Sequence, residues 1–123
     1  MEMRIIGRIK GFLKTKSADE IRNFKGILTK RYGLRRYLYA TSEGLPIMGN
    51  FEKYEELSAK TPEIFRALSE LEASDRYIIL GTEKTYLLLR ITPEVLLLAE
   101  ATKKLSQEEI NRIVDETKRE FGI

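Results

Sequence analysis

Apolar residues near the start of the chain recur at helical spacing. Across Met1–Lys14 they fall on one face of a helix, and basic residues fall on the other. So short a helix needs a surface that covers its apolar stripe. The protein's own core or a second copy is the favoured surface, and a membrane interface is the alternative, because basic amphipathic helices suit lipid headgroups. The apolar positions are Ile5, Ile6, Ile9, Phe12 and Leu13, and the basic positions are Arg4, Arg8, Lys10 and Lys14.

Two further helices carry start and stop signals. Ser17 with Glu20 and Ser106 with Glu109 match the capping box, in which the serine hydroxyl and the glutamate carboxylate each accept from a free helical N–H. Gly33 and Gly122 follow the two apolar stripes and suit the C-terminal cap. The predicted buried positions are Ile21, Phe24, Ile27, Leu28 and Tyr32 in the first helix, and Ile110, Ile113, Val114, Thr117 and Phe121 in the second.

A strand, a tight turn and a short return strand lie between these helices. Leu34–Thr41 is rich in aromatic and branched residues, as strands are. Gly44 can reverse the chain because it tolerates positive φ, and Leu45–Met48 predicts the return strand. Pro46 has no N–H to donate, which predicts an edge position. Asn50 is a candidate cap for the helix that follows.

The second half of the chain predicts one helix and three strands. Phe51–Glu72 has helical periodicity, and Pro62 predicts a kink or break near Lys60–Thr61. The strands Asp75–Leu80, Thr85–Ile91 and Val95–Ala101 lack clean alternation, which is typical of strands covered on both faces. Five strands with short links predict one antiparallel sheet with helices on both sides.

Composition argues against an enzyme. The 123 residues suit one domain, and they include neither cysteine nor histidine, so the commonest general base and metal ligand are absent. The adjacent pairs Glu55–Glu56 and Glu108–Glu109 diverge around a helix and are poor acid/base pairs, and no glycine-rich phosphate loop or metal-ligand spacing occurs. We therefore predict no cofactor and no metal.

The remaining composition points to a cytoplasmic location. No apolar run approaches the roughly 18 residues that span a bilayer, and no stretch resembles a cleaved signal. Few Asn and Gln beside abundant Glu, Lys and Arg lean towards a heat-adapted (thermophile) source.

Charge is distributed unevenly. Residues 1–40 carry eleven Lys or Arg against three acids, a net +8, whereas residues 41–123 carry eleven against sixteen, a net −5. A solvated basic surface is the favoured interpretation, and an anionic partner is the alternative. The total of +3 is too small to favour nucleic acid.

From Ser17 to Ile123 the order of elements resembles the Roadblock/LC7 family. The specific part is YATSEGLPIMG, Tyr39–Gly49, which is similar to that family's strand–Asp/Glu-Gly–Leu-Pro-Ile signature through Gly44, Leu45 and Pro46. Two features depart from it: Pro62 interrupts a helix that is usually continuous, and Met1–Lys14 is additional. This divides the chain into an N-terminal amphipathic extension, 1–16, and a Roadblock/LC7-like domain, 17–123.

The resemblance implies an α+β fold, an αβα sandwich with a five-stranded antiparallel sheet, similar also to longin and profilin folds, here with an extra N-terminal helix. It implies a homodimer or a pair with a second Roadblock-type subunit, and a protein partner rather than a substrate. Family members serve as dynein light chains, scaffolds for Ras-like GTPases and regulators of a bacterial polarity GTPase. The expected dimer-interface residues are Phe51, Tyr54, Leu57, Phe65, Leu68, Tyr77 and Ile79.

Two functions remain open. The leading one is a non-enzymatic dimeric module that binds and scaffolds or regulates a Ras-like small GTPase. The alternative is a ligand-binding or membrane-adaptor domain that uses an αβα pocket or the basic N-terminal helix, with Arg4, Arg8, Lys10 and Lys14 as candidate contacts to an anionic partner. We interpret the arginines of the predicted strands as paired or solvated residues rather than arginine fingers; they are Arg35, Arg36, Arg76 and Arg90.

Overall fold

Helices and strands follow one another in the order that the sequence predicts. A computed structural model describes residues 2–123, and their side chains from Ile5 onward. The elements are α1 (Glu2–Lys14), α2 (Ala18–Gly26) with a π-helical turn (Ile27–Arg31), β1 (Leu34–Thr41), β2 (Pro46–Gly49), α3 (Tyr54–Leu71), β3 (Arg76–Leu80), β4 (Thr85–Thr92), β5 (Val95–Ala101) and α4 (Gln107–Phe121).

The five strands form one antiparallel sheet in the order β2-β1-β5-β4-β3. Leu98 of β5 pairs with Leu38 of β1 on one side and with Leu88 of β4 on the other, so β5 lies at the centre. β2 and β3 are the two edges. The predicted mixed fold with a five-stranded antiparallel sheet is confirmed, and Pro46 lies in an edge strand as expected.

The sheet separates two hydrophobic clusters. Because side chains alternate along a strand, Tyr39 and Leu97 face α1, α2 and α4, whereas Leu38 and Leu98 face α3. The absence of clean alternation in β4 and β5 therefore reflects burial on both faces. The first cluster also includes Ile5, Ile6 and Ile9 of α1.

Both predicted capping boxes are present. The N–H of Glu20 donates to Ser17 Oγ at 3.1 Å and the N–H of Ser17 donates to Glu20 Oε1 at 3.3 Å, and Ser106 with Glu109 repeats the arrangement. Gly122 ends α4 with φ of 70°. These local signals fix the helix ends as the sequence indicates.

The predicted single helix from Ser17 to Gly33 needs one correction. Its last five residues form a π-helical turn, in which the N–H of Tyr32 donates to the carbonyl of Ile27 at 3.3 Å. The wider turn places both Leu28 and Tyr32 in the core.

Of the kink or break predicted near Lys60–Thr61, the break does not occur, because α3 is one helix of 18 residues with Pro62 inside it. Pro62 cannot donate to the carbonyl of Ser58, which is a local cost. The hydroxyl of Thr61 donates to the carbonyl of Leu57 at 2.7 Å, and the next turn buries Phe65 against the sheet. This packing stabilises the helix on both sides of the proline.

Asn50 does not cap α3, contrary to expectation. The helix begins at Tyr54, after Lys53, and has no side-chain cap. The side-chain oxygen of Asn50 accepts from the N–H of Tyr37 at 2.8 Å, and its amide donates to the carbonyl of Arg35 at 3.2 Å. Asn50 therefore continues the pairing of β1 where β2 ends.

Candidate functional site

Strand β3 is an apolar edge of the sheet. Its neighbour is β4, and the other side of its backbone has no strand partner among residues 2–123. Ile78 is 54% exposed and Leu80 is 78% exposed, and Leu71 at the end of α3 is 85% exposed. An apolar free edge is a template for pairing with another chain. We call Leu71, Ile78, Leu80 and the outer backbone of β3 the β3 edge.

An apolar groove of about 510 Å³ adjoins this edge on the α4 side of the sheet. Ile78, Leu80 and Leu105 line it, and Lys103 and Lys104 lie at its rim. The ammonium group of Lys103 donates to the Arg31 carbonyl at 3.1 Å and to Glu109 Oε2 at 3.3 Å. The predicted coverage of both faces therefore fails at β3, where this face lies open.

Of the seven residues expected at a dimer interface, one is buried and the other six are partly buried. Phe65 is 4% exposed, and its ring meets that of Tyr77 edge-on at 5.3 Å. The hydroxyl of Tyr77 donates to the carbonyl of Glu72 at 2.6 Å, which ties β3 to the end of α3. Ile79 is half-buried. The part of these residues in a dimer stays a prediction. Five of them are partly buried and pack against the second hydrophobic cluster, between the sheet and α3: Phe51, Tyr54, Leu57, Leu68 and Tyr77.

Sequence reasoning missed Leu71, Ile78 and Leu80. The run Tyr77-Ile78-Ile79-Leu80 looks like any strand covered on both faces. The signal that could have found them is the pairing of the strand: a strand that pairs on one side only lies at the edge of its sheet. Strand order along the sheet is a tertiary property, and it decides that these side chains are exposed.

The hairpin signature packs against α3. Gly44 has φ of 89°, and a Cβ there would lie 3.0 Å from the Cα of Ala59. The Thr41 hydroxyl accepts from the N–H of Leu45 at 3.1 Å. Leu45 is half-buried against the first cluster. Gly44 therefore serves both the turn and the close approach of α3.

From Ile5 onward, helix α1 buries its isoleucines and exposes its basic side chains. Ile9 is fully buried, and Ile5 and Ile6 are buried beside it, so the chain's own core covers this part of the apolar stripe. Arg8, Lys10 and Lys14 are exposed, whereas the side chain of Arg4 lies outside the described residues. Phe12, predicted on the apolar face, is 38% exposed.

The described residues offer no obvious catalytic centre. Across residues 2–123, no group of three or more His, Cys, Asp or Glu residues could hold a metal ion. Within the same range, no helix has both the length and the hydropathy needed to cross a membrane. The candidate site is the β3 edge, because its apolar side chains are exposed.

Comparison by sequence identifies one informative relative. No family model matches the chain. An uncharacterized protein of Archaeoglobus fulgidus is 31% identical over 101 residues, which are 82% of this chain. The match covers 60% of that relative, so the chain spans only part of its length.

Comparison by structure gives close matches of fold. MglB of Myxococcus xanthus superposes with a TM-score of 0.68 at 16% identity, covering 87% of this chain and 98% of MglB. A structure described as MglB with tetrameric arrangement has a TM-score of 0.65 at 13% identity, covering 87% and 93%. A Roadblock/LC7 domain from Streptomyces avermitilis has a TM-score of 0.60 at 9% identity, covering 78% and 92%. These likenesses show the fold.

Proposed function

We propose that this chain, which has the Roadblock/LC7-type fold, acts as a pair of copies joined at the β3 edge, and that the pair binds a small GTPase. The observation that carries the pairing is the exposure of Ile78 and Leu80 on a strand with a free side. Antiparallel pairing of β3 with its counterpart would satisfy the outer backbone groups and form a ten-stranded sheet. The match to an MglB structure with a tetrameric arrangement supports self-association.

The GTPase is proposed from the family resemblance of the hairpin, which the shared fold supports. A sheet of two copies is a broad and rigid surface that can hold a mobile loop of a partner in one arrangement. Such a binder shifts the partner's equilibrium only by its differential affinity for the two nucleotide states. We therefore expect nucleotide-dependent binding, with at most modest stimulation through the partner's own catalytic groups.

We also infer that the chain is a binding protein rather than an enzyme. It has no histidine or cysteine to act as base or nucleophile. Burial raises the pKa of Tyr37 and of Tyr54, and both tyrosines belong to the two hydrophobic clusters. A surface for a protein partner needs none of these groups to react.

The test is a calorimetric titration with a small GTPase encoded beside this chain's gene, loaded with GDP or with a GTP analogue. We expect a tighter complex with one of the two forms. Equal affinity for both forms would reduce the protein to a passive scaffold, and no binding to either form would contradict the proposal.

The apolar groove favours a second candidate, a ligand-binding domain. Its volume of about 510 Å³ lies within the range of small-molecule sites, roughly 300–1,000 Å³. Thermal shifts with small apolar ligands would support this function if Ile78→Lys, a change at an exposed lining residue of the groove, abolished them. The membrane-adaptor version loses its support, because the isoleucines of α1 are buried.

A further inference from the structure

Arg90 of β4 is held in place from three directions. Its Nη1 donates to the carbonyl of Pro93 at 3.0 Å, and its Nε lies 3.5 Å from the carboxylate of Asp75. The guanidinium carbon lies 4.4 Å from the centre of the Phe65 ring, a cation–π contact. Because Phe65 is buried, this contact fixes the plane of the guanidinium group.

A small polar pocket of about 230 Å³ lies beside this arginine, between the β1–β2 turn, α3 and the sheet. Two arginines and two serines line it, and its floor includes Pro62 and Phe65. No acidic side chain lines it. The four polar lining residues are Ser42, Arg66, Ser69 and Arg90.

Several donors in this pocket have no protein partner. Among the described residues, nothing accepts a hydrogen bond from Nη2 of Arg90, from the Arg66 side chain or from the Ser42 hydroxyl. Ser69 is different, because its hydroxyl donates to the Arg66 carbonyl at 2.8 Å. The pocket thus combines the free Nη2 of a fixed arginine, a second cation and a free hydroxyl.

We propose that this pocket binds an oxyanion, either a phosphate group or the carboxylate of an acidic side chain. Nη2 of Arg90 and the guanidinium group of Arg66 can each donate to an oxygen of either group, and hydrogen bonds between ionised partners are among the strong ones. Asp75 offsets part of the charge of Arg90, and its side chain is 74% exposed, so solvent screens this ion pair. The lining itself holds two arginines and no acidic side chain. Because Arg90 is already fixed, less side-chain entropy is lost on binding.

The site is separate from the β3 edge. It is built from α3, the hairpin and β4, and none of its lining residues belongs to β3. Binding of an oxyanion here therefore does not depend on pairing of two copies or on the GTPase, and its test can fail or succeed independently of the proposed function.

The experiment is a nuclear magnetic resonance titration of the full chain that follows the arginine Nε–Hε signals. Sodium phosphate and sodium acetate are added separately at constant ionic strength, with sodium chloride as the reference salt. We expect saturable shifts of the Arg66 and Arg90 signals with phosphate or acetate and none with chloride. Tighter binding of phosphate indicates a phosphate-bearing ligand, and tighter binding of acetate indicates an acidic side chain of a partner protein.

Matched variants test the location of the site. Arg66→Ala should weaken the anion's affinity about tenfold or more, because hydrogen bonds to ionised groups are among the stronger ones. Lys60→Ala removes an exposed cation from the same helix and should change the affinity less than about twofold. Arg90→Lys keeps the charge but removes Nη2, so it should also weaken binding while the protein stays folded by circular dichroism.

Two results would overturn the proposal. One is the absence of saturation by either anion up to about 100 mM, which would leave no site with a Kd near 1 mM or tighter. The other is an equal loss of affinity in Lys60→Ala and Arg66→Ala, which would indicate general surface charge rather than a built pocket.

Discussion

The hydroxyl oxygens of Tyr39 and Thr117 lie 2.7 Å apart, and the hydrogen bond between them joins β1 to α4 inside the core. Both side chains are fully buried. Burial raises the pKa of Tyr39, so the phenol stays protonated and able to donate. The rings of Tyr39 and Phe121 also meet edge-on at 4.9 Å, which places the bond at the centre of the first cluster.

Removal of one partner of this bond should be costly. Thr117→Val leaves the Tyr39 hydroxyl buried without an acceptor, and we expect the free energy of unfolding to fall by about 1–3 kcal/mol. Tyr39→Phe should cost a similar amount. In urea denaturation, the double variant should lose less than the sum of the two single losses. Strict additivity would mean that the bond adds nothing to stability.

Gly44 should be intolerant of any side chain. Its φ of 89° disfavours L residues, and a Cβ would approach the backbone of Ala59 to 3.0 Å. We expect Gly44→Ala to lower the free energy of unfolding by about 1–2 kcal/mol or more. Gly7→Ala is the matched control: it lies in α1 with open space around it, and alanine there should stabilise the protein by about 0.5–1 kcal/mol. Equal effects in thermal denaturation would contradict this account.

Local chemistry made much of the fold predictable. Gly44 and Pro46 defined the hairpin, and the Ser17 and Ser106 capping boxes defined helix starts, because each acts through neighbours in sequence. The errors lie where distant contacts decide. Asn50 bonds to β1 rather than to α3, and Pro62 stays within a helix that the sheet stabilises. Exposure of Leu80 and the pocket beside Arg90 depend on strand order and on contacts across the sheet, which spacing along the chain does not reveal.

Two glutamates of α4 should make the stability of the protein depend on pH in opposite directions. Burial raises the pKa of Glu120 above its ordinary 4.5, outweighing the attraction of Lys16. The folded state therefore binds the proton of Glu120 more tightly, and the stability that this adds at low pH is lost as pH rises through the folded pKa. Relative to the wild type, Glu120→Gln should become more stable as pH rises from about 4 to about 7.

Glu109 should have the opposite effect on how stability depends on pH. The N–H of Ser106 donates to its carboxylate and lowers its pKa, with Lys103 adding to the effect. The stability that Glu109 adds is present above the pKa of the carboxyl group in the unfolded chain. It is lost as pH falls through the pKa of that group in the folded protein. Glu109→Gln should therefore become less stable, relative to the wild type, over the same rise in pH. Urea denaturation at several pH values measures both variants, and parallel trends would contradict the assignment.

Helix α1 should contribute to the stability of the whole domain. Ile9 is fully buried in the first cluster, so Ile9→Ala should lower the free energy of unfolding by about 2–5 kcal/mol. Lys10 is the next residue and is exposed, so Lys10→Ala should change the free energy of unfolding by less than about 0.5 kcal/mol. A loss at Ile9 as small as that at Lys10 would instead favour a separable extension over residues 1–16.

The central claim is that two copies pair at the β3 edge. Light scattering tests it most directly, because it measures the mass of the protein in solution. At about 50 µM, even a weak dimer with a micromolar Kd is populated. We predict about twice 14.3 kDa for the wild type. Leu80→Lys, which places a charge in the apolar contact, should give a monomer, whereas Phe12→Lys, a change at an exposed apolar residue of α1, should leave the dimer intact. A wild-type mass of 14.3 kDa at this concentration would contradict the account.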